Sequence, residues 1–197
     1  MSDTCAHILI TGEIRMNIIK SFNNKYYFLS NFYEAPVEYN GVTYCNSEAA
    51  FQHAKCAKLT SSEQIKFVAG LGTRLKNLVM AYVDSNDENV LTTVFSKANP
   101  SVAKRLGRVV PIRSDWEDVK YTIMEEIVHS KFSQNEKLKK ALLDTGDAAL
   151  IEGNHWHDNT WGICTCDKCY GKVGSNGENN NLGAILMKVR EDLRNKS

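Results

Sequence analysis

The feature that most limits what this chain can fold into is the stretch 114–132. Its apolar residues Trp116, Val119, Ile123, Ile127 and Val128, with Met124 and Phe132 alongside, recur at the spacing of one face of an α-helix. Ser114-Asp-Trp-Glu117 has the form of a capping box at its start. A helix this long must bury its stripe against other elements, so the remainder of the sequence has to supply them.

It supplies mostly short helices. Ser47 reads as an N-cap over a helix running to Lys58, and Ser61-x-x-Gln64 as a second capping box. The stretch 71–95 reads as helix, loop and helix, broken at 84–87. Asn99-Pro100 opens a short helix ending near Gly107. A further helix carries Leu138, Ala141 and Leu142, with Gly146 just beyond it. The last helix starts near Leu182 and turns Leu182, Ile185, Leu186, Val189 and Leu193 inward. Strand signals are few. Asn40-Gly41, between alternating apolar and polar residues, is a two-residue hairpin turn, because both positions tolerate positive φ. Ala149-Leu-Ile151 reads as a short strand. The stretch 153–181 is polar, Gly-rich and loop-like. The expected fold is therefore a mainly helical α+β single domain with a small antiparallel sheet. At 197 residues the chain is long enough for one proper core.

A formal net charge of +1 gives no global pull toward nucleic acid or membrane. No apolar run approaches the roughly 20 residues of a membrane-spanning helix, so no membrane partner is expected. Residues 1–15 lack a basic segment followed by a long apolar one, so no secretory signal is expected there. Cys5, Cys45 and Cys56 stand alone while Cys164, Cys166 and Cys169 cluster. This distribution does not suit a disulfide framework and points to a reducing cytoplasm.

Chemistry concentrates in two places. Glu48, Gln52 and Lys55 stand at i, i+4 and i+7, on one face of their helix. Spacing alone allows either a solvated polar face over an amphipathic underside or a site. In a site, the carboxylate would handle a proton, the amide orient a substrate and the amine bind an anion. Further on, His155-Trp-His-Asp-Asn-Thr-Trp-Gly162 gathers aromatic planes beside an acid, which suits a flat base held over a carboxylate. It equally suits a loop pinned to the core by its aromatics. Cys164-x-Cys166-x-x-Cys169, with His155 or His157 as a fourth ligand, could hold a structural Zn²⁺, although secure zinc sites usually show two separated ligand pairs. The loop 171–177, ahead of the last helix, either cradles a phosphate or is simply a surface loop.

The order of these pieces carries more than any one of them. Phe28-Leu-Ser-Asn-Phe32, the hairpin, Ser47-Glu48, Phe51-Gln52-x-x-Lys55 and Gly107-Arg108 come in turn. They are followed by Trp116-Glu-x-Val-Lys120, Met124, Lys131-Phe132, Asp158-x-x-Trp161-Gly162 and Asn181-x-Gly183-x-x-Leu-Met187-x-x-Arg190. From about Phe28 to the C-terminus the succession closely resembles the NADAR, or YbiA-like, N-glycosidase family. The resemblance implies a compact α+β domain over residues 26–197 behind an N-terminal extension, 1–25, and hydrolysis of a ribose–base bond. Family substrates are phosphoribosylamino-pyrimidine intermediates of riboflavin synthesis and ADP-ribose attached to guanine in DNA. The expected partners are therefore a nucleotide or ADP-ribose small molecule and ADP-ribosylated DNA. Carried over position by position, the likeness points to Glu48, Trp116 and Asp158. It adds Asn31, Gln52, Lys55 and Trp161 as substrate contacts, with Phe32, Arg108 and Gly183 in the matching motifs. Two departures stand out. The segment 75–95 looks like an insertion that alters one wall of the site, and the Cys-rich loop is absent from the simplest members, so zinc is not inherited from the family.

Cleaving a ribosyl C–N bond builds positive charge on the sugar and negative charge on the leaving base. The expected roles follow. Glu48 orients water and offsets the oxocarbenium charge, and Asp158 holds the base or ribose hydroxyls or acts as acid. Trp116 or Trp161 stacks on the base, and Lys55 pairs with phosphate or forms a transient Schiff base on an opened ribose. No cofactor is needed for this chemistry. The competing expectations are a non-catalytic ADP-ribose- or nucleotide-binding module and a zinc-stabilised interaction domain.

Overall fold

The computed structural model describes residues 17–84, 86–169, 172–174 and 177–196. The long helix is its centre. This is α6, Trp116–Gln134, and it packs against the hairpin, the last helix α8 (Asn181–Asn195), α7 (Glu136–Leu143) and α1 (Ser47–Ala54). Of the apolar stripe, Trp116, Ile123, Met124, Ile127, Val128 and Phe132 are buried and Val119 is half-buried. The expected capping box does not form. Asp115 is the N-cap without a side-chain bond to the helix. Its carboxylate is taken by Arg113 at 2.5 and 2.7 Å and by Lys58 at 2.9 Å. Glu117 turns to Lys120 instead.

β2 (Glu34–Tyr39) and β3 (Val42–Asn46) form the antiparallel hairpin, with Asn40 at φ 49° and Gly41 at φ 75°. Both values lie in the left-handed region such a turn requires. Ala35 and Val37 point inward along β2, and the ladder is irregular between Glu34 and Val37, where Pro36 has no N–H to give. Two parallel pairs accompany this antiparallel one. β1 (Ile18–Ile19) pairs with β4 (Ala149–Leu150), and β5 (Gly153–Asn154) with β6 (Ile163–Cys164). The sheet content is thus three two-stranded pieces among the described residues, set into a mainly helical body.

β3 runs straight into α1, and the cap sits one residue earlier than expected. Asn46 Oδ1 accepts from the Ala49 amide at 2.8 Å while its Nδ2 donates to the Ala98 carbonyl at 2.9 Å. Ser47 is the first helical residue, and its hydroxyl is buried without a partner. All eight residues of α1 are buried, between β3, α4 (Val90–Lys97), α5 (Pro100–Leu106) and α6. Ala49, Ala50 and Ala54 permit that close approach, and the helix stops at Ala54 rather than at Lys58. The box of α2 (Ser61–Ala69) is likewise formed one residue earlier, by Thr60 and Glu63. Gln64 instead bonds the Leu59 carbonyl and the Leu91 amide, tying α2 to α4. α3 (Thr73–Met80) buries Val79, and α4 buries Val90, Leu91, Val94 and Phe95.

α8 lays its five predicted apolar residues on the core. Arg190 from its buried side bonds Thr145 Oγ1 and the Ala148 carbonyl, at 2.8 and 2.9 Å. Among the described residues no helix is long and apolar enough to cross a membrane.

Candidate functional site

A cavity of about 650 Å³ opens where the start of α1, the start of α6, the end of α5, the 3-10 turn Asn24–Leu29 with the residues after it, and the loop after β4 converge. Its volume is within the range of small-ligand sites. Glu48, Gln52 and Lys55 all reach it from one face of α1. The opposite side of α1 carries His53, stacked on Phe95 and bonded to Tyr44 at 2.7 Å. Burial pushes the His53 pKa down to about 4, so this histidine is a neutral core residue and no part of the cavity lining.

The polar face of α1 is therefore not solvated. Gln52 Nε2 donates to Glu48 Oε1 at 2.8 Å, while Gln52 Oε1 is buried without a partner. A Cβ on Gly107 would collide with the Gln52 amide, so only glycine lets α5 end this close to α1. Lys55 donates to the Gly107 carbonyl at 3.1 Å and lies 5.8 Å above the Trp116 ring. The carbonyl of Asn31 accepts the Glu48 amide at 3.0 Å, and Asn31 Nδ2 meets Met124 Sδ at 3.3 Å. Phe32 sits 5.3 Å beneath the Lys104 ammonium. Behind this turn the buried Lys131 donates to the carbonyls of Phe28 and Ser30, at 2.7 and 2.9 Å, which fixes where Ser30, Asn31 and Phe32 stand.

The aromatic wall is continuous. Phe51 lies between Trp116 and Trp161, with centroids 5.0 and 5.2 Å away, and Tyr121 backs Trp161 at 5.3 Å. Across from α1 stands the loop after β4. Asp158 Oδ1 accepts the amides of Thr160 and Trp161, at 3.0 and 2.8 Å. Asn154 holds the same residue's carbonyl at 2.7 Å. Asp158, Trp161 and the exposed Trp156 all line the cavity.

Nine of the ten cavity positions expected from the sequence are brought together: Asn31, Phe32, Glu48, Gln52, Lys55, Arg108, Trp116, Asp158 and Trp161. Gly183 is not among them. A Cβ there would strike the Leu150 carbonyl, so it serves the close passage of α8 over β4. Segment 75–95, expected to alter a wall, contributes nothing to the lining; α4 packs on α1 and β3 from the far side. The loop 171–177 includes Gly171, Ser175 and Asn176, which lie outside the described residues, as does Cys5; its described residues do not line the cavity. The fourth member of the cysteine cluster is His157, not His155. His157 Nδ1 and the three Sγ atoms lie within 4.8 Å of one another, whereas His155 turns to Thr165 Oγ1 at 3.1 Å.

Sequence reasoning missed Glu152, Lys104 and Lys120, all of which line the cavity. Glu152 directly follows the predicted strand, and the turn after β4 brings it inward, its amide bonded to Asn180 Oδ1 at 2.9 Å. Its Oε2 is buried without a partner. Burial, reinforced by the charges of Asp158 and Glu48, pushes its pKa up to about 7. Burial also raises the Glu48 pKa, which Lys104, Gln52 and Lys55 partly offset. Lys55 is shifted downward, again chiefly by burial. Two carboxyls whose pKa values are raised by burial thus share a cavity with cationic side chains and an aromatic wall, an arrangement suited to acid–base catalysis.

Comparison with known proteins places the chain in a family. The chain is 38% identical over 116 residues to an N-glycosidase of Nostoc punctiforme, covering 58% of this chain and 68% of that one. It is 30% identical over 175 residues to N-glycosidase YbiA of Escherichia coli (strain K12), covering 88% and 85%. A riboflavin biosynthesis protein of Vibrio vulnificus is 29% identical over 167 residues, 85% of this chain but 35% of that longer protein. The NMR structure of E. coli YbiA superimposes with a TM-score of 0.60 at 28% identity, over 93% of this chain and 89% of that one. The NADAR domain model matches residues 19–194, and with relatives aligned over most of both chains, this protein belongs to the NADAR domain family.

Proposed function

We propose that this chain hydrolyses the N-glycosidic bond between a phosphate-bearing ribose and a nitrogen base. The observation that carries the reading is the buried Glu48–Gln52 pair sharing one aromatic-walled, cation-lined cavity with Glu152 and Asp158. The names of the Nostoc and E. coli relatives support it.

In this reading the base lies against Trp116 and Trp161, and Lys55, Lys104 and Arg108 meet the phosphates. Glu152, whose pKa of about 7 keeps a substantial protonated fraction near neutral pH, gives its proton to the departing base nitrogen as the C1′–N bond breaks. Water attacks C1′ and passes a proton to Glu48, whose carboxylate also offsets the charge on the ribose. Asp158, held by its own loop, orients the ribose hydroxyls. The products are the free base and the hydroxyl sugar, with one water consumed. The Schiff-base role for Lys55 has less support, since its Nζ is already engaged by the Gly107 carbonyl.

Two substrates fit this chemistry: ADP-ribosyl-guanine in DNA and a phosphoribosylamino-pyrimidine, the second favoured by the name of the Vibrio relative. The test offers both to the purified chain and to Glu48→Gln. Release of ADP-ribose or of free pyrimidine assigns the substrate, and the variant should be slower by about 10²–10⁴-fold. Tight ADP-ribose binding without cleavage of either would replace the enzyme with a binding module.

A further inference from the structure

The segment 153–180 is held differently from the rest of the fold. Among its described residues only Trp161 packs against the hydrophobic core. Yet Cys164 and Cys169 are buried inside this polar loop, apart from that core. A segment with so little apolar burial needs another kind of fastening.

The side chains supply one. His157 Nδ1 is 3.2 Å from Cys169 Sγ, 3.3 Å from Cys166 Sγ and 4.0 Å from Cys164 Sγ. Cys164 Sγ is 3.4 Å from Cys166 Sγ. A tetrahedral zinc ion, with Zn–S of about 2.3 Å and Zn–N of about 2.0–2.1 Å, sets ligand-to-ligand edges of about 3.6–3.8 Å. The observed spacings bracket those edges. The three thiols are free, and the 3.4 Å between Cys164 and Cys166 is far beyond the roughly 2.05 Å of a disulfide. His157 also holds φ at 68°, a left-handed conformation that residues other than glycine rarely adopt. That backbone is what turns its ring toward the three sulfurs while its neighbour Asp158 faces the cavity.

We infer that His157, Cys164, Cys166 and Cys169 form a structural zinc site, with the thiols losing their protons on binding. The ion ties the hinge residue before Asp158 to β6 and to the 3-10 turn Asp167–Cys169, and so fixes the loop that forms one wall of the cavity. That this wall serves a substrate rests on the function proposed above; the metal site itself does not.

The test uses the full chain purified under reducing conditions. Elemental analysis should find about one zinc per chain, and cobalt exchanged into the protein should show the intense visible bands of a tetrahedral, thiolate-rich site. Cys166→Ser and His157→Ala should each lose the stoichiometric metal, and His155→Ala should keep it. Hydrogen exchange reads the wall without any substrate. Removing the ion with a chelator should speed exchange of the Thr160 and Trp161 amides by about tenfold or more, with α6 unaffected. Metal-free protein in which Cys164, Cys166 and Cys169 are all readily alkylated, and no change in melting temperature on adding zinc, would overturn the site. Loss of metal in His155→Ala but not His157→Ala would overturn the ligand set. Unchanged exchange at Thr160 and Trp161 would overturn the link to the wall. None of these outcomes depends on whether ADP-ribosyl-guanine is cleaved.

Discussion

The two faces of the cavity are built on opposite principles. Glu48, Gln52 and Lys55 stand on a helix whose every residue is buried, so their positions are set by close packing among alanines and Phe51. Asp158 and Trp156 stand on a loop with almost no apolar support, placed by Asn154, which donates to the Asp158 carbonyl and accepts from the Trp156 amide, and by the His157 cluster. Packing resists displacement from every direction, whereas a hydrogen-bonded loop can be released by removing one partner. Changes in the first face should therefore cost stability and activity together, and changes in the second should cost activity with little loss of fold.

The largest expected effect tests the packed face. Phe51→Ala removes the ring between the two tryptophans, and thermal or denaturant unfolding should show a loss of about 3–5 kcal/mol. A loss under 1 kcal/mol would mean the aromatic wall is not part of the core. Next comes the loop. Asn154→Ala releases both the Asp158 carbonyl and the Trp156 amide. The efficiency kcat/KM should fall about 10–100-fold while the unfolding free energy drops by only about 1–2 kcal/mol. A melting temperature that falls as far as in Phe51→Ala would erase the contrast.

Glu152 lies between the two faces and is tested by pH. Its ordinary carboxyl pKa of 4.5 applies in the unfolded chain, and about 7 in the fold. Between those values the folded state holds the extra proton, so stability falls as pH rises from about 4.5 and the loss levels off above about 7. Glu152→Gln, free of this cost, should gain on the native chain by roughly 1–3 kcal/mol between pH 4.5 and pH 8. A constant difference across that range would show that Glu152 is not the buried acid described here. The smallest effect concerns Ser47, whose buried hydroxyl has no partner. Ser47→Ala should be neutral or stabilising by less than about 1 kcal/mol, whereas a lost helix cap costs typically about 1 kcal/mol.

Much of the packed face could be read in the sequence, because its signals are local. The stripe of α6, the Asn40-Gly41 turn and the inward residues of α8 each follow from spacing within one element. Caps were legible only to within one residue: Asn46 and Ser47 are both good capping residues, and which one reaches the Ala49 amide depends on where β3 ends. The loop face was legible in composition but not in arrangement. Ala149-Leu-Ile151 is legible as a short strand and contains β4, but strands of two residues have no period, so β1, its pairing with β4 and the β5–β6 pair leave no trace in the sequence. His155 and His157 stand equally well spaced from the cysteines, and the choice between them is made by the left-handed backbone at His157. The burial of Glu48 and Lys131 also escaped, since spacing says which residues share a face and not whether that face meets water or protein.

The pairing of Ile18 with Ala149 has a consequence for how the molecule assembles. The hairpin and the helix face beside it are joined by contacts between near neighbours in the chain, which form quickly. The short β1–β4 pair must close a loop of about two-thirds of the chain for very little contact in return, and such closures come late. β4 leads directly into Glu152 and the Asp158 loop, so in refolding the helix signal should precede the burial of Trp161. The cavity is then finished by its most distant strands, and the protein gains its chemistry only at the last step of its folding.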